Sequence, residues 1–126
     1  MARKQKLITK EIEKLIAKYP IGSQDGKGLD AKVICKFFLP CSGATWYILE
    51  GEKQENGDYL LYGLATLFGD SYEYGYVMYS ELVAIKKRFL FDYVYVERDI
   101  SIQNDTLKSV VSYDSVLKDS LSFLFK

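Results

Sequence analysis

The segment Glu97-Arg98-Asp99, together with Glu50, holds the side chains most able to do acid–base or metal chemistry. On an extended strand Glu97 and Asp99 point to one side and Arg98 to the other. Two carboxylates brought near Glu50 would serve as general acid and base or hold Mg²⁺, with Arg98 on a phosphate or carboxylate. That set would make a carboxylate-dependent, metal-assisted enzyme acting on a nucleotide or nucleic acid. The same residues also read as scaffold, with Arg98 bridging Glu50 or Glu81 and pinning the last strand to a hairpin or helix. Other catalytic solutions are closed. The chain has no His, which excludes Ser-His-Asp and Cys-His arrangements. There is also no Gly-x-Ser-x-Gly elbow and no Gly-Lys-Thr phosphate loop. Cys35 falls in an expected strand and reads as a buried free thiol, while Cys41 has neither a His partner nor a zinc-type spacing. The expectation is a protein without metal or cofactor that is not an enzyme.

Recognition is the stronger signal. Eleven Tyr and seven Phe stand among 126 residues, and Trp46, Tyr47, Tyr62, Tyr74 and Tyr76 recur within the expected strands. Exposed aromatic faces bind flat ligands or protein partners, so these five, with Lys36 and Arg98, form the candidate surface. The alternative is that the phenol rings fill the core edge with their hydroxyls in water, and that Trp46 is a core anchor. The expected partner is a host protein or a small nucleotide-like ligand, and the aromatic face could equally join two copies of the chain. Seventeen Lys and Arg cancel seventeen Asp and Glu, which removes the overall field that favours nucleic acid. A local patch of Arg3, Lys4, Lys6, Lys10, Lys14 and Lys18 remains, read as a solvated helix face balanced by Glu11 and Glu13. No run approaches the ~20 apolar residues of a membrane span. The basic N-terminus is not followed by an apolar stretch, so a cytoplasmic protein is expected.

The elements that must position these residues follow from periodicity. Ile8, Ile12, Leu15, Ile16 and Tyr19 have helical spacing, Thr9 can cap them and Pro20 ends the helix. The glycine-rich stretch 21–28 reads as a mobile surface loop. Residues 31–39 read as a strand with Val33, Cys35, Phe37 and Leu39 on one face. Residues 45–50 and 59–67 flank Asn56-Gly57 as a hairpin, and 72–77 completes a four-stranded meander. A short helix capped by Ser80, with Leu82, Ile85 and Phe89 inward, leads to a fifth strand over 93–98. Asp114 can cap a C-terminal helix carrying Val116, Leu117, Leu121 and Leu124. The fold class is α+β: a single domain over 1–126, an antiparallel sheet of about five strands, and a C-terminal extension over 103–126.

Several blocks resemble a known family. They are Leu7-Ile8-Thr9-Lys10-Glu11, Lys36-Phe37-Phe38-Leu39-Pro40, Thr45-Trp46-Tyr47 with Glu50, Tyr62-Gly63-Leu64, Tyr74-Gly75-Tyr76 with Ser80-Glu81-Leu82, and Glu97-Arg98-Asp99. In this order and spacing they resemble a family of small proteins of unknown function common on bacterial plasmids, conjugative elements and phages. The resemblance runs from Leu7 to Ile102. It implies an accessory protein of a mobile element, an inhibitor or decoy of a host defence pathway in its most concrete form, and it brings no catalytic residues.

Overall fold

The computed structural model describes residues 6–125, so Arg3 and Lys4 of the expected basic patch lie outside the described residues. Strands β1 (Cys35–Phe38), β2 (Thr45–Lys53), β3 (Tyr59–Thr66), β4 (Glu73–Met78) and β7 (Glu97–Arg98) form one antiparallel sheet in the order β4-β3-β2-β1-β7. Strands β5 (Lys86–Phe89) and β6 (Asp92–Tyr95) make a separate two-stranded ribbon. Helices α1 (Lys10–Lys18) and α2 (Tyr79–Ala84) serve one face of the sheet, while α3 (Leu107–Val111) and α4 (Ser115–Ser120) serve the other. The architecture is α+β, as expected.

Local chemistry sets the element ends. The Thr9 hydroxyl accepts from the Ile12 N–H at 3.3 Å, and α1 stops before Pro20, where the ring cannot continue a helix. Gly57 supplies a φ of +87° in the β2–β3 turn, a conformation that costs glycine nothing. The Asp58 carboxylate then accepts from the Ser80 N–H at 3.0 Å and the Ser80 hydroxyl at 2.6 Å. Ser80 is therefore not the cap of α2. It lies inside the helix, and an acid from the hairpin satisfies its N–H.

The sheet separates two cores. Cys35, Phe37, Trp46, Ile48 and Leu61 pack with Ile12, Ile16 and Leu82 on the first face. Tyr47, Leu49, Leu64 and Tyr72 pack with Leu107, Val110, Leu117 and Leu121 on the second. The register between β2 and β3 shifts between Ile48 and Glu50, leaving Leu49 as the extra residue of a bulge. That bulge turns Glu50 to the side of Tyr62, its partner in β3. Gly63 sits across from it, where an added Cβ would run into the Tyr47 carbonyl. Only glycine fits there.

Four expectations are corrected. Val33 joins the second core while Cys35 joins the first, so 31–39 is not one alternating strand. The Val33 N–H bonds to the Asp105 carbonyl and the Ile34 N–H to the Ile48 carbonyl, and regular pairing begins only at Cys35. The helix after β4 ends at Ala84; Ile85 just beyond it still packs on the first core as expected, but 86–95 pairs with itself as the ribbon and leaves Phe89 exposed. The expected fifth strand is split: 92–95 belongs to the ribbon, and Glu97–Arg98 alone pairs with β1. The C-terminal segment holds two helices, α3 capped by Thr106 and α4 by Asp114, in place of one. Leu107, Val110, Leu117 and Leu121 of that segment are buried to 0–1 % exposure, so 103–125 forms a wall of the second core. Among the described residues no helix is long and apolar enough to cross a membrane.

Candidate functional site

The second sheet face is covered on one side only. Helices α3 and α4 seal Tyr47, Leu64 and Tyr72, whereas toward β4 the face opens. Pairing sets Tyr62 opposite Tyr76 and Leu64 opposite Tyr74. Residues directly across an antiparallel ladder share a face, so three tyrosine rings meet there. The Tyr62 and Tyr74 centroids lie 6.1 Å apart with planes at 19°, and those of Tyr62 and Tyr76 lie 4.8 Å apart. Tyr74 is 42 % exposed and Tyr76 62 %. Beside them a recess of about 250 Å³ is lined by Gln24, Asp25, Gly26, Leu49, Glu50, Tyr62 and Tyr74. Burial raises the Tyr62 hydroxyl above its ordinary pKa, helped by Tyr76, Glu50 and Asp25, and burial also raises Tyr74. Both phenols stay neutral hydrogen-bond donors across the physiological range.

The other wall is the glycine loop, which is tied to the sheet through Glu50 and Gln24. Glu50 is 3 % exposed, yet its two oxygens accept from the Gly22 N–H at 2.7 Å and the Gln24 N–H at 2.8 Å. The buried Gln24 amide donates to the Leu49 and Lys32 carbonyls and accepts from the Lys32 N–H. A buried carboxylate is costly unless its oxygens are bonded, and here the loop backbone bonds them. Gly22 and Gly26, at φ of +89° and +78°, let the loop fold over this anchor. Glu50 thus holds the loop against the tyrosine face. Gln24 and Asp25 were not among the expected site residues. The signal for their place was Glu50 itself, an acid closing the apolar run Trp46-Tyr47-Ile48-Leu49.

The remaining expected residues lie elsewhere. Tyr47 is fully buried and Trp46 is 5 % exposed, so neither ring reaches a partner. The Tyr47 hydroxyl donates to Asp114 Oδ2 at 2.7 Å and Tyr72 donates to the same oxygen at 3.0 Å, beneath α4. Burial and the bond to Asp114 push the Tyr47 hydroxyl far above its ordinary pKa. Lys36 lies 5.3 Å from the Tyr47 ring centroid and 3.5 Å from Asp99 Oδ2. Arg98 donates to the Lys6 carbonyl at 3.1 Å. Its expected partners are otherwise engaged, Glu50 with the loop and Glu81 with the Met78 N–H at 2.8 Å. Cys35 is buried, and burial pushes its thiol up despite the Arg98 charge.

The three carboxylates do not converge. Glu97 pairs with Phe38, which pairs with Thr45, so two strand spacings and five residues along β2 separate it from Glu50. That is on the order of 15–20 Å. Asp99 accepts from the Ser101 N–H at 2.9 Å and its hydroxyl at 2.6 Å. Burial raises its pKa, but Ser101 and Lys36 outweigh that and hold it below the ordinary value. Among the described residues no cluster of three His, Cys, Asp or Glu side chains is arranged to hold a metal ion.

Fold and site together define a small α+β protein whose antiparallel sheet carries a core on each face and, on the second, is half open over a tyrosine cluster and a tethered glycine loop. The chain belongs to the family described as "Protein of unknown function (DUF2958)", whose match spans residues 7–117. The match passes Ile102, where the resemblance was expected to end, and takes in α3 and the start of α4. No curated protein and no solved structure matches the chain.

Proposed function

We propose that this protein is a non-enzymatic binding module that captures a flat, nucleotide-like ligand, or a loop of a host protein, at the Tyr62–Tyr74–Tyr76 cluster. The observation that carries this reading is an aromatic cluster left open beside a recess whose far wall is tied down by Glu50. A preformed recess with aromatic walls and a few polar groups is the ordinary form of a small-ligand site. The rings supply stacking surface and the phenols supply donors. The dispersal of Glu50, Glu97 and Asp99 over the sheet supports binding over turnover. The mobile-element setting implied by the resemblance makes an inhibitor or decoy in host defence the concrete role. The free thiols Cys35 and Cys41 fit a reducing cytoplasm.

A thermal-shift panel of mononucleotides, cyclic dinucleotides and dinucleotide cofactors tests the reading, since a ligand at ~100 times its Kd adds about 2.7 kcal/mol of stability. One ligand class should raise the midpoint by several degrees in the native protein and not in the Tyr74→Ala variant. A ligand shift unchanged by Tyr74→Ala would contradict the site.

A further inference from the structure

The β5–β6 ribbon breaks local rules with nothing in the packing to repay it. Its two-residue turn is Leu90-Phe91, flanked by the pair Phe89↔Asp92. Leu90 adopts φ of +59°, a region that a leucine enters only against the contact of its Cβ with the backbone. Leu90 is nonetheless 73 % exposed and Phe91 97 %. Strained backbone carrying apolar side chains into solvent is a pattern of functional sites.

Register sorts the rest of the ribbon. Lys86 stands opposite Tyr95 and Arg88 opposite Tyr93, so these four side chains share one face. Lys87, Val94, Phe89 and Asp92 take the other, where Val94 packs against the first core and Lys87 reaches the Cys41 carbonyl. The one acid of the ribbon is thereby kept off the Lys86–Arg88 face. There Lys86 Nζ lies 4.6 Å from the Tyr93 ring centroid, and Tyr93 is 37 % exposed. Among the described residues no carboxylate pairs with Lys86 or Arg88.

Cations alternating with aromatic rings on an exposed β-surface, next to an apolar tip, match the chemistry of single-stranded nucleic acid: phosphates for Lys86 and Arg88, unstacked bases for Tyr93 and Phe91. We infer that the β5–β6 ribbon binds single-stranded nucleic acid through its Lys86–Arg88–Tyr93 face and its Leu90–Phe91 tip. A duplex keeps its bases stacked and offers the rings nothing. An anionic membrane would engage the apolar tip, whereas Lys86 and Arg88 lie back along the strand and are interleaved with Tyr93 and Tyr95. Charge complementarity spaced along the ribbon in this way favours the nucleic acid. This surface belongs to the first-core side of the sheet, opposite the tyrosine recess, and stands or falls independently of it. The neutral overall charge fits a short, local contact in place of a long duplex footprint.

The test is fluorescence anisotropy of a labelled oligothymidylate of about 15 nucleotides, within the site sizes of single-strand binders. Saturable binding is expected at low salt, with log K falling against log salt with a slope of about −1.4, or 0.7 for each of the two phosphates held. Arg88→Gln should weaken binding and reduce that slope by about 0.7. Tyr93→Ala and Phe91→Ser should each weaken it ~10-fold with the slope unchanged, since stacking releases no counterion. All three positions are exposed, and unchanged thermal midpoints will show that the variants fold. No saturable binding at about 20 mM salt, affinity equal to the parent's in all three variants, or Phe91-dependent binding to phosphatidylglycerol vesicles without oligonucleotide binding would each overturn the inference.

Discussion

Glu50 shows how much one side chain decides here, because its carboxylate is the acceptor on which the glycine loop is hung. Glu50→Gln keeps the shape but turns an amide NH₂ toward the Gly22 or Gln24 N–H. Leaving a buried donor opposed costs about 2–3 kcal/mol. The thermal midpoint should drop by about 8 °C or more, and a midpoint within error of the parent would show that the loop is not held this way. Leu90 predicts the opposite sign. Leu90→Gly relieves the positive φ and should raise the midpoint by a few degrees, worth about 0.5–1 kcal/mol. A lower midpoint in chemical or thermal denaturation would mean that the leucine earns its place by packing. At this scale the sequence was partly legible. Thr9 and Asp114 announced themselves as caps, because capping depends on a side chain and the backbone beside it. Tyr47 and Tyr74 could not be told apart, since period-two alternation puts both on the second face and only distant helices decide which is covered.

Among the elements, α4 joins local and long-range structure through Asp114. Its Oδ1 accepts from the Leu117 N–H at 3.0 Å while Oδ2 accepts from the two buried phenols. Asp114→Asn keeps a capping oxygen but weakens both tyrosine bonds, whereas Asp114→Ala removes all three. The alanine variant should lose about 3 kcal/mol and the asparagine variant roughly half of that, by denaturant unfolding. Equal losses would mean that the cap contributes nothing, and an asparagine variant as stable as the parent would mean that the cap alone matters. The elements that depart from their sequence pattern share a cause. The turn Leu90-Phe91 has no Gly, Asn, Asp or Pro, so 86–95 gave no hairpin signal. Helix α3, five residues long, is held by Leu107, Val110 and Val111 against the sheet, which periodicity over so short a span cannot reveal. By contrast, Asn56-Gly57 marked the β2–β3 turn, because a positive φ at Gly57 is a property of that residue itself.

For the molecule as a whole, two cores on one sheet mean that neither end of the chain is dispensable. Leu107, Val110, Leu117 and Leu121 each bury roughly 2 kcal/mol of apolar surface, a sum comparable with the 5–15 kcal/mol stability of an ordinary domain. Stability should also fall at high pH. Tyr47 and Tyr72 are both pushed up, by burial first and also by Asp114. The folded state thus holds protons that the unfolded state releases from about pH 10. Their contribution is complete below that pH and declines as pH rises above it, by about 1.4 kcal/mol per pH unit for each phenol. Tyrosinate absorbance should rise in two stages, exposed phenols first and these two only on unfolding. The most direct measurement of the central claim, that the exposed rings of Tyr74 and Tyr76 form a surface the fold does not need, is the thermal midpoint of the double variant Tyr74→Ala/Tyr76→Ala. The half-open face predicts a midpoint within about 5 °C of the parent, the loss of two exposed ring contacts. A fall of ~15 °C, the size of a core aromatic deletion, would contradict it.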